Sequence, residues 1–225
     1  MIDEKSIPLL TKHFSPWKNM TVEQQKELLD NTTLKKFTKG ANLHGGDQDC
    51  LGIMLVKQGM LRTYLLSEEG KEITLYRLEA GDICVLSSSC ILSSITFDVH
   101  IDAETNGEAL LISSAYFAKL TEENIYVECF VYKMATDRFS DVMWAMQQIL
   151  FMSFDKRLAV FLWDELTKIN DDTIHYTHEQ IAKYMGSARE VVTRMLKYFA
   201  SEGIVELSRG GIKILDKSKL RSLTQ

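Results

Sequence analysis

Proline is nearly missing from this chain of 225 residues, cysteine is sparse, and no hydrophobic run is long: there are two prolines and four cysteines. A bilayer-spanning helix needs about 20 consecutive apolar residues, and no stretch approaches that length. The opening Met1-Ile2-Asp3-Glu4-Lys5 lacks the charged-then-apolar form of a signal peptide. The expectation is a cytoplasmic protein with no membrane partner, and there cysteines are thiols, ligands or core residues before they are disulfides. Catalytic signatures are also absent. No phosphate-binding loop, nucleophile elbow, His-x-x-x-His pair or glycine-rich dinucleotide loop occurs, and the serines at 87–89 have no adjacent base signature. The chain is therefore expected not to be an enzyme, with no catalytic residues and no dedicated metal site, and the sequence names no cofactor.

A surplus of positive charge is missing too, since the formal net charge is −5. The distribution is uneven. From Ile169 onward nine Lys/Arg face seven Asp/Glu, whereas the preceding part carries seventeen against twenty-four. Lys183, Arg189, Arg194, Lys197, Arg209 and Lys213 supply cations near the C-terminus that can neutralise phosphates, while an acidic front half is repelled by a duplex. The hydrophobic content of 45% is enough for one large or two modest cores.

Thr21 to Asn31 reads as a helix, with Thr21 as N-cap and Gln24 reaching back in a capping box. Short β-rich runs follow between Lys35 and about Ile112, at 51–56, 61–66, 73–78, 99–103 and 109–112, as in a sandwich or roll. From Glu122 to Ile149 the chain has neither Gly nor Pro and reads as one long helix. Its apolar positions Val127, Phe130, Val131, Met134, Phe139, Val142, Met143, Met146 and Ile149 exceed what one sheet face can bury, which implies a symmetric dimer. The run Phe151-Met152-Ser153-Phe154-Asp155 breaks the period and reads as a hinge. A helix follows over Lys156 to Lys168, with Ser153 as its N-cap.

The most informative stretch lies between Thr177 and Leu215. A short amphipathic helix carries Ile181, Ala182 and Met185, the chain turns at Gly186-Ser187-Ala188, and a second helix opens with Arg189-Glu190 and buries Val191, Met195, Leu196 and Phe199. Gly203 ends that helix. The runs 204–207 and 212–215 then alternate as a hairpin around Arg209-Gly210-Gly211. A helix pair followed by a glycine-turned hairpin is a winged helix-turn-helix. Arg189, Glu190 and Arg194 project over a narrow arc at the start of the second helix. Arginine forks onto guanine and a carboxylate accepts from the amino group of cytosine, so this spacing suits reading in a major groove.

His178-Glu179-Gln180-Ile181-Ala182 and Gly186 through Arg194 resemble the C-terminal domain of the cyclic AMP receptor protein and Fnr family of bacterial transcription regulators. The likeness covers nearly the whole chain, because Gly40 to Asp47, Val56 to Gly59, Glu68 to Glu72 and Ala80-Gly81-Asp82 fall at the turns of that family's β-roll. The resemblance implies an α+β protein. By that resemblance residues 1–120 are expected to form a cyclic-nucleotide-binding-like β-roll (a double-stranded β-helix or jelly roll) that senses an effector, 121–152 a dimerisation helix and hinge, and 153–225 a winged helix-turn-helix. It implies a homodimeric, sequence-specific activator that reads an inverted repeat of the TGTGA type in double-stranded DNA, with RNA polymerase as a partner. The expected DNA-binding residues are Thr177, His178, Ser187, Ala188, Arg189, Glu190, Thr193, Arg194, Lys197 and Arg209.

The effector is expected not to be cyclic AMP. Where the family's nucleotide binders carry Gly-Glu and Arg-Ser, this chain has Val85-Leu86 and Phe97-Asp98, which replace attraction for a phosphate by repulsion. The expected pocket comprises Val85, Leu86, Ser87, Ser88, Phe97, Asp98, Tyr126, Phe130, Met134 and Arg138, suited to a small apolar or weakly polar ligand. Two alternatives stand beside this reading. One is an iron-sulfur or thiol-based sensor built from Cys50, Cys84, Cys90 and Cys129, or more remotely a haem held by His44 or His100. The other is a ligand-binding module that acts without DNA.

Overall fold

The computed structural model describes residues 4–45, 52–85, 99–169, 171–209 and 211–225. The chain divides into two units, one of residues 1–66 and 75–142 and another of residues 67–74 and 143–225.

The first unit opens with 3-10 turns flanking α1 (Ile7–His13), followed by α2 (Val22–Asp30). Thr21 and Gln24 cap α2 reciprocally, Thr21 Oγ1 accepting from Gln24 N at 3.2 Å and Gln24 Oε1 accepting from Thr21 N at 3.1 Å. The capping box read from the sequence is present. Eight strands follow: β1 (Thr32–Phe37), β2 (Asn42–Gly45), β3 (Ile53–Gln58), β4 (Leu61–Leu66), β5 (Glu72–Leu78), β6 (Ile83–Cys84), β7 (His100–Ala103) and β8 (Gly107–Ile112). They form two four-stranded sheets, ordered β1-β8-β3-β6 and β2-β7-β4-β5.

Alternation along β3 explains why its run is apolar throughout. Ile53 and Leu55 face a core shared with Leu10, Phe14, Leu28, Phe117, Leu120, Val127 and Phe130, while Met54 and Val56 face a core shared with Leu61, Leu75, Leu78 and Ile101 from the other sheet. A strand covered on both faces has no polar side to show. Between β3 and β4 the chain turns at Gly59, whose φ of +96° suits glycine and whose Cβ would lie 2.8 Å from Asn106 O.

The long helix begins differently from the expectation of an unbroken helix over 122–149. α3 (Ser114–Glu123) stops at Asn124, and α4 runs from Ile125 to Phe151. Asn124 is extended (φ −135°, ψ 107°), and its side chain binds Asn19 O, Gln24 Oε1 and Tyr126 N. An asparagine with such local partners competes with helical hydrogen bonding, which is the physical reason for the break. Within α4 only Val127, Phe130 and Val131 are buried; Tyr132, Phe139, Met143, Trp144, Met146, Leu150 and Phe151 are exposed.

In the second unit, α5 (Phe154–Lys168) is followed by β9 (Thr173–Ile174), α6 (His178–Met185), α7 (Arg189–Ser201), β10 (Val205–Ser208), β11 (Gly211–Ile214) and α8 (Lys217–Ser222). The three strands are ordered β10-β11-β9 and pair antiparallel. Their core draws Leu158 and Leu162 from α5, Ile181 and Met185 from α6, Val192, Leu196 and Phe199 from α7, and Leu220 from α8. Ser153 occupies the N-cap position of α5, but its hydroxyl caps no amide. It bonds to the Asp155 carboxylate instead and holds that group below its usual range. This corrects the expectation that the hydroxyl satisfies a helix-start amide: the hydroxyl donates, and the backbone amides of Asp155 and Lys156 turn to the same carboxylate, which is the stronger acceptor.

Candidate nucleic-acid interface

Each boundary of the helix pair is set by a local residue. Thr177 and Gln180 form a second capping box: Gln180 N donates to Thr177 Oγ1 (3.1 Å) and Thr177 N to Gln180 Oε1 (2.9 Å). Gly186 ends α6 in the left-handed region at φ 59°, ψ 43°. There a glycine avoids the Cβ penalty, so the chain reverses direction within Gly186-Ser187-Ala188. Arg157 donates from Nη1 to Met185 O at 3.3 Å, placing a cation at the negative end of α6.

α7 starts with Ala188 as N-cap, which brings no side-chain cap. Its first backbone amides are therefore left to whatever approaches from outside. From this end Arg189, Glu190, Arg194 and Lys197 project as exposed side chains, and none forms an ion pair among the described residues. The opposite face of the helix is fully committed to the core through Val192, Leu196 and Phe199, each 0% exposed. A helix packed on one side and cationic at the start of the other is what groove insertion requires.

Of the other residues expected to bind DNA, Ala188 and Arg209 are exposed, and Ser187 is half-buried. Thr177 is exposed but occupied, since its hydroxyl also donates to Gln180 Oε1 at 3.1 Å. His178 and Thr193 are half-buried and bonded to each other, Nδ1 to Oγ1, at 2.9 Å. Sequence reading missed that link. The fifteen-residue separation gives no local cue, although both positions fall on the sides of α6 and α7 that meet. Lys183 is also less available than its charge suggested, because its Nζ lies 3.0 Å from Glu72 Oε1 in the 67–74 segment that groups with this unit.

Of the residues expected around an effector, Val85, Tyr126, Phe130, Met134 and Arg138 are described, all in the first unit. Val85 and Phe130 are buried in the core between sheet and helices, where Phe130 meets Phe14 edge-on at 5.1 Å and Met134 packs at the margin. Tyr126 is exposed. Arg138 lies 4.7 Å from the Tyr76 ring beside the core between the two sheets. Leu86, Ser87, Ser88, Phe97 and Asp98 lie outside the described residues, as do Cys50 and Cys90. Cys84 is buried and Cys129 exposed, and no group of three or more potential metal-ligating His, Cys, Asp or Glu occurs among the described residues.

Two sheets followed by a long helix and a winged helix-turn-helix define a regulator that carries a double-sheet fold and a DNA-binding fold on one chain. Residues 156–223 match the Crp-like helix-turn-helix domain. A crystal structure from Eubacterium rectale, assigned to the transcriptional regulators of the Crp/Fnr family, is 44% identical, with 95% of this chain and 99% of that one covered at a TM-score of 0.91. The transcriptional regulator flp of Lacticaseibacillus casei is 25% identical over 89% of this chain and 91% of its own length. A CooA mutant from Carboxydothermus hydrogenoformans shares the fold at 23% identity, 93% and 94% coverage and a TM-score of 0.68. The chain belongs to the Crp/Fnr family of transcription regulators, which are not enzymes. No described helix is long and apolar enough to cross a membrane.

Proposed function

We propose that the chain works as a homodimeric activator that reads an inverted repeat in double-stranded DNA under the control of a small effector other than cyclic AMP, with RNA polymerase as a partner. The observation that carries the reading is the exposed row Arg189, Glu190, Arg194 and Lys197 at the uncapped start of α7. Arg189 and Arg194 take guanines, Glu190 takes a cytosine amino group, and Lys197 and Arg209 hold phosphates. Thr193 meets a thymine methyl, while Thr177, His178, Ser187 and Ala188 line the backbone contact.

Dimerisation is supported by the exposed apolar residues along α4, each worth about 2 kcal/mol when withdrawn from water. A second copy laid along α4 covers them and relates two α7 helices by a twofold axis, so half-sites fall about one helical turn, roughly 34 Å, apart. The functional division follows the same reading: residues 1–120 sense, 121–152 dimerise and hinge, and 153–225 read DNA.

The test is a titration of the full-length protein against a labelled duplex carrying a TGTGA-type inverted repeat, with a scrambled duplex as competitor at two salt concentrations. Specific retention with a strong salt slope supports the reading. Equal affinity for both duplexes refutes it.

A further inference from the structure

Three buried side-chain polar atoms that lack a hydrogen-bond partner among the described residues share one neighbourhood: Thr63 Oγ1, Tyr76 Oη and Arg138 Nε. Thr63 is 0% exposed on β4 and Tyr76 9% exposed on β5, where both point into the apolar core between the sheets. Arg138 reaches them from α4, its guanidinium carbon 4.7 Å from the centre of the Tyr76 ring. The Thr63 hydroxyl and the Cys84 thiol are near enough to act on the ionisation of Tyr76, yet Tyr76 Oη and Thr63 Oγ1 complete no hydrogen bond of ordinary geometry. An orphaned buried polar group costs about 1–3 kcal/mol, and phenylalanine or valine would remove that cost at nearly the same shape. Three such groups converging in one apolar core are therefore better explained as recognition groups than as packing.

The chemistry of the three groups restricts what they can recognise. Burial holds the Tyr76 phenol well above its usual range, so it stays protonated and donates. Thr63 supplies a second hydroxyl, and Arg138 supplies a charged N–H that no group among the described residues accepts. The ligand must then be an acceptor. Its charge is limited, because Arg138 is the cation among the described residues of the cluster and its outer nitrogen is already bonded to Asp141 Oδ2 at 2.8 Å. Asp141 is half in water, whereas Arg138 is nearly enclosed, so the inner edge of the guanidinium keeps an attraction for one negative charge and not for two. The surrounding Leu61, Leu75, Leu78 and Val142 suit an apolar tail.

We propose that this cluster is the effector site of the regulator and that it takes a small organic monocarboxylate, the carboxylate held by Tyr76, Thr63 and Arg138. This rests on the reading of the chain as an effector-controlled regulator. It places the recognition chemistry on Thr63 and Tyr76, which the sequence did not single out, with Arg138 as the charged partner.

The test uses full-length protein without DNA and follows its melting temperature against butyrate and benzoate, with butyramide and benzamide as uncharged analogues of the same shape. The expected result is a saturable rise with the carboxylates and at least tenfold weaker action of the amides. Arg138→Gln should erase the preference for the charged form, and Tyr76→Phe and Thr63→Val should each weaken carboxylate binding about tenfold. Ligand-free melting curves establish that these near-isosteric variants are folded. No rise up to 50 mM carboxylate overturns the proposal, as does an equal response from the amides or from all three variants. DNA affinity measured separately distinguishes failure at this site from failure of the operator-reading assignment.

Discussion

His178 Nδ1 and Thr193 Oγ1 stand 2.9 Å apart, tying the first residue of α6 to the second turn of α7. Burial first, and then the charges of Arg189 and Lys197, hold the imidazole below its ordinary value of 6.5, so the ring is neutral in the free protein at neutral pH. A neutral ring has one donor and one acceptor nitrogen, and Thr193 occupies one of them. A phosphate beside the other favours the imidazolium, in which both nitrogens donate.

Protons are therefore taken up on DNA binding, and affinity should rise as pH falls from about 7.5 to about 6. The free protein responds in the opposite sense. A folded-state value lowered beneath 6.5 contributes stability above about pH 6.5 that is lost as pH falls through the lowered value. Fluorescence anisotropy at constant salt should show the affinity trend in the native protein and its loss in His178→Gln. An unchanged pH profile in that variant would remove His178 from the phosphate contact.

Arg189 and Lys197 are both exposed cations on α7 but are assigned different duties. Arg189→Ala should cost about 1–3 kcal/mol of discrimination at a single base pair. Lys197→Ala should weaken cognate and random duplexes alike and reduce the salt slope by about one. Binding to a panel of single-base operator variants separates the two. A uniform loss from both substitutions would contradict the assigned roles.

The helix pair and wing were legible because Gly186 marks the turn between α6 and α7 and Gly203 the end of α7, whereas the Thr177–Gln180 capping box that starts α6 was not read. The 3-10 turns and α1 before Met20 were not read, since they are too short for a helical period to register, and β9 has only two residues. Asn124 broke the long helix through contacts with Asn19 and Gln24 about a hundred residues away, which no local window contains. Thr63 and Tyr76 were passed over because alternation marks inward positions without saying that a hydroxyl there stays unpaired.

Thr177 gives a way to separate a structural hydroxyl from a DNA contact. Its side chain accepts from Gln180 N and donates to Gln180 Oε1. Thr177→Ala should therefore destabilise the protein by about 1 kcal/mol through loss of the cap. Thr177→Ser should restore most of that stability, since serine presents the same oxygen. If the alanine variant keeps native stability in urea but loses DNA affinity, the hydroxyl serves the phosphate and not the helix.

Phe139 and Trp144 are 66% and 52% exposed on α4, large values for apolar side chains. Carboxylates at these two positions, as Phe139→Glu with Trp144→Glu, would have to be desolvated against a second copy at a cost of several kcal/mol, while in a monomer they remain in water. Light scattering of the double variant should give about half the native mass. Its circular dichroism should be unaltered, because neither side chain contributes to the buried cores. Affinity for the inverted repeat should fall more than tenfold, since two reading helices no longer bind as one body. A double variant that keeps the native mass would place the subunit contact elsewhere than α4.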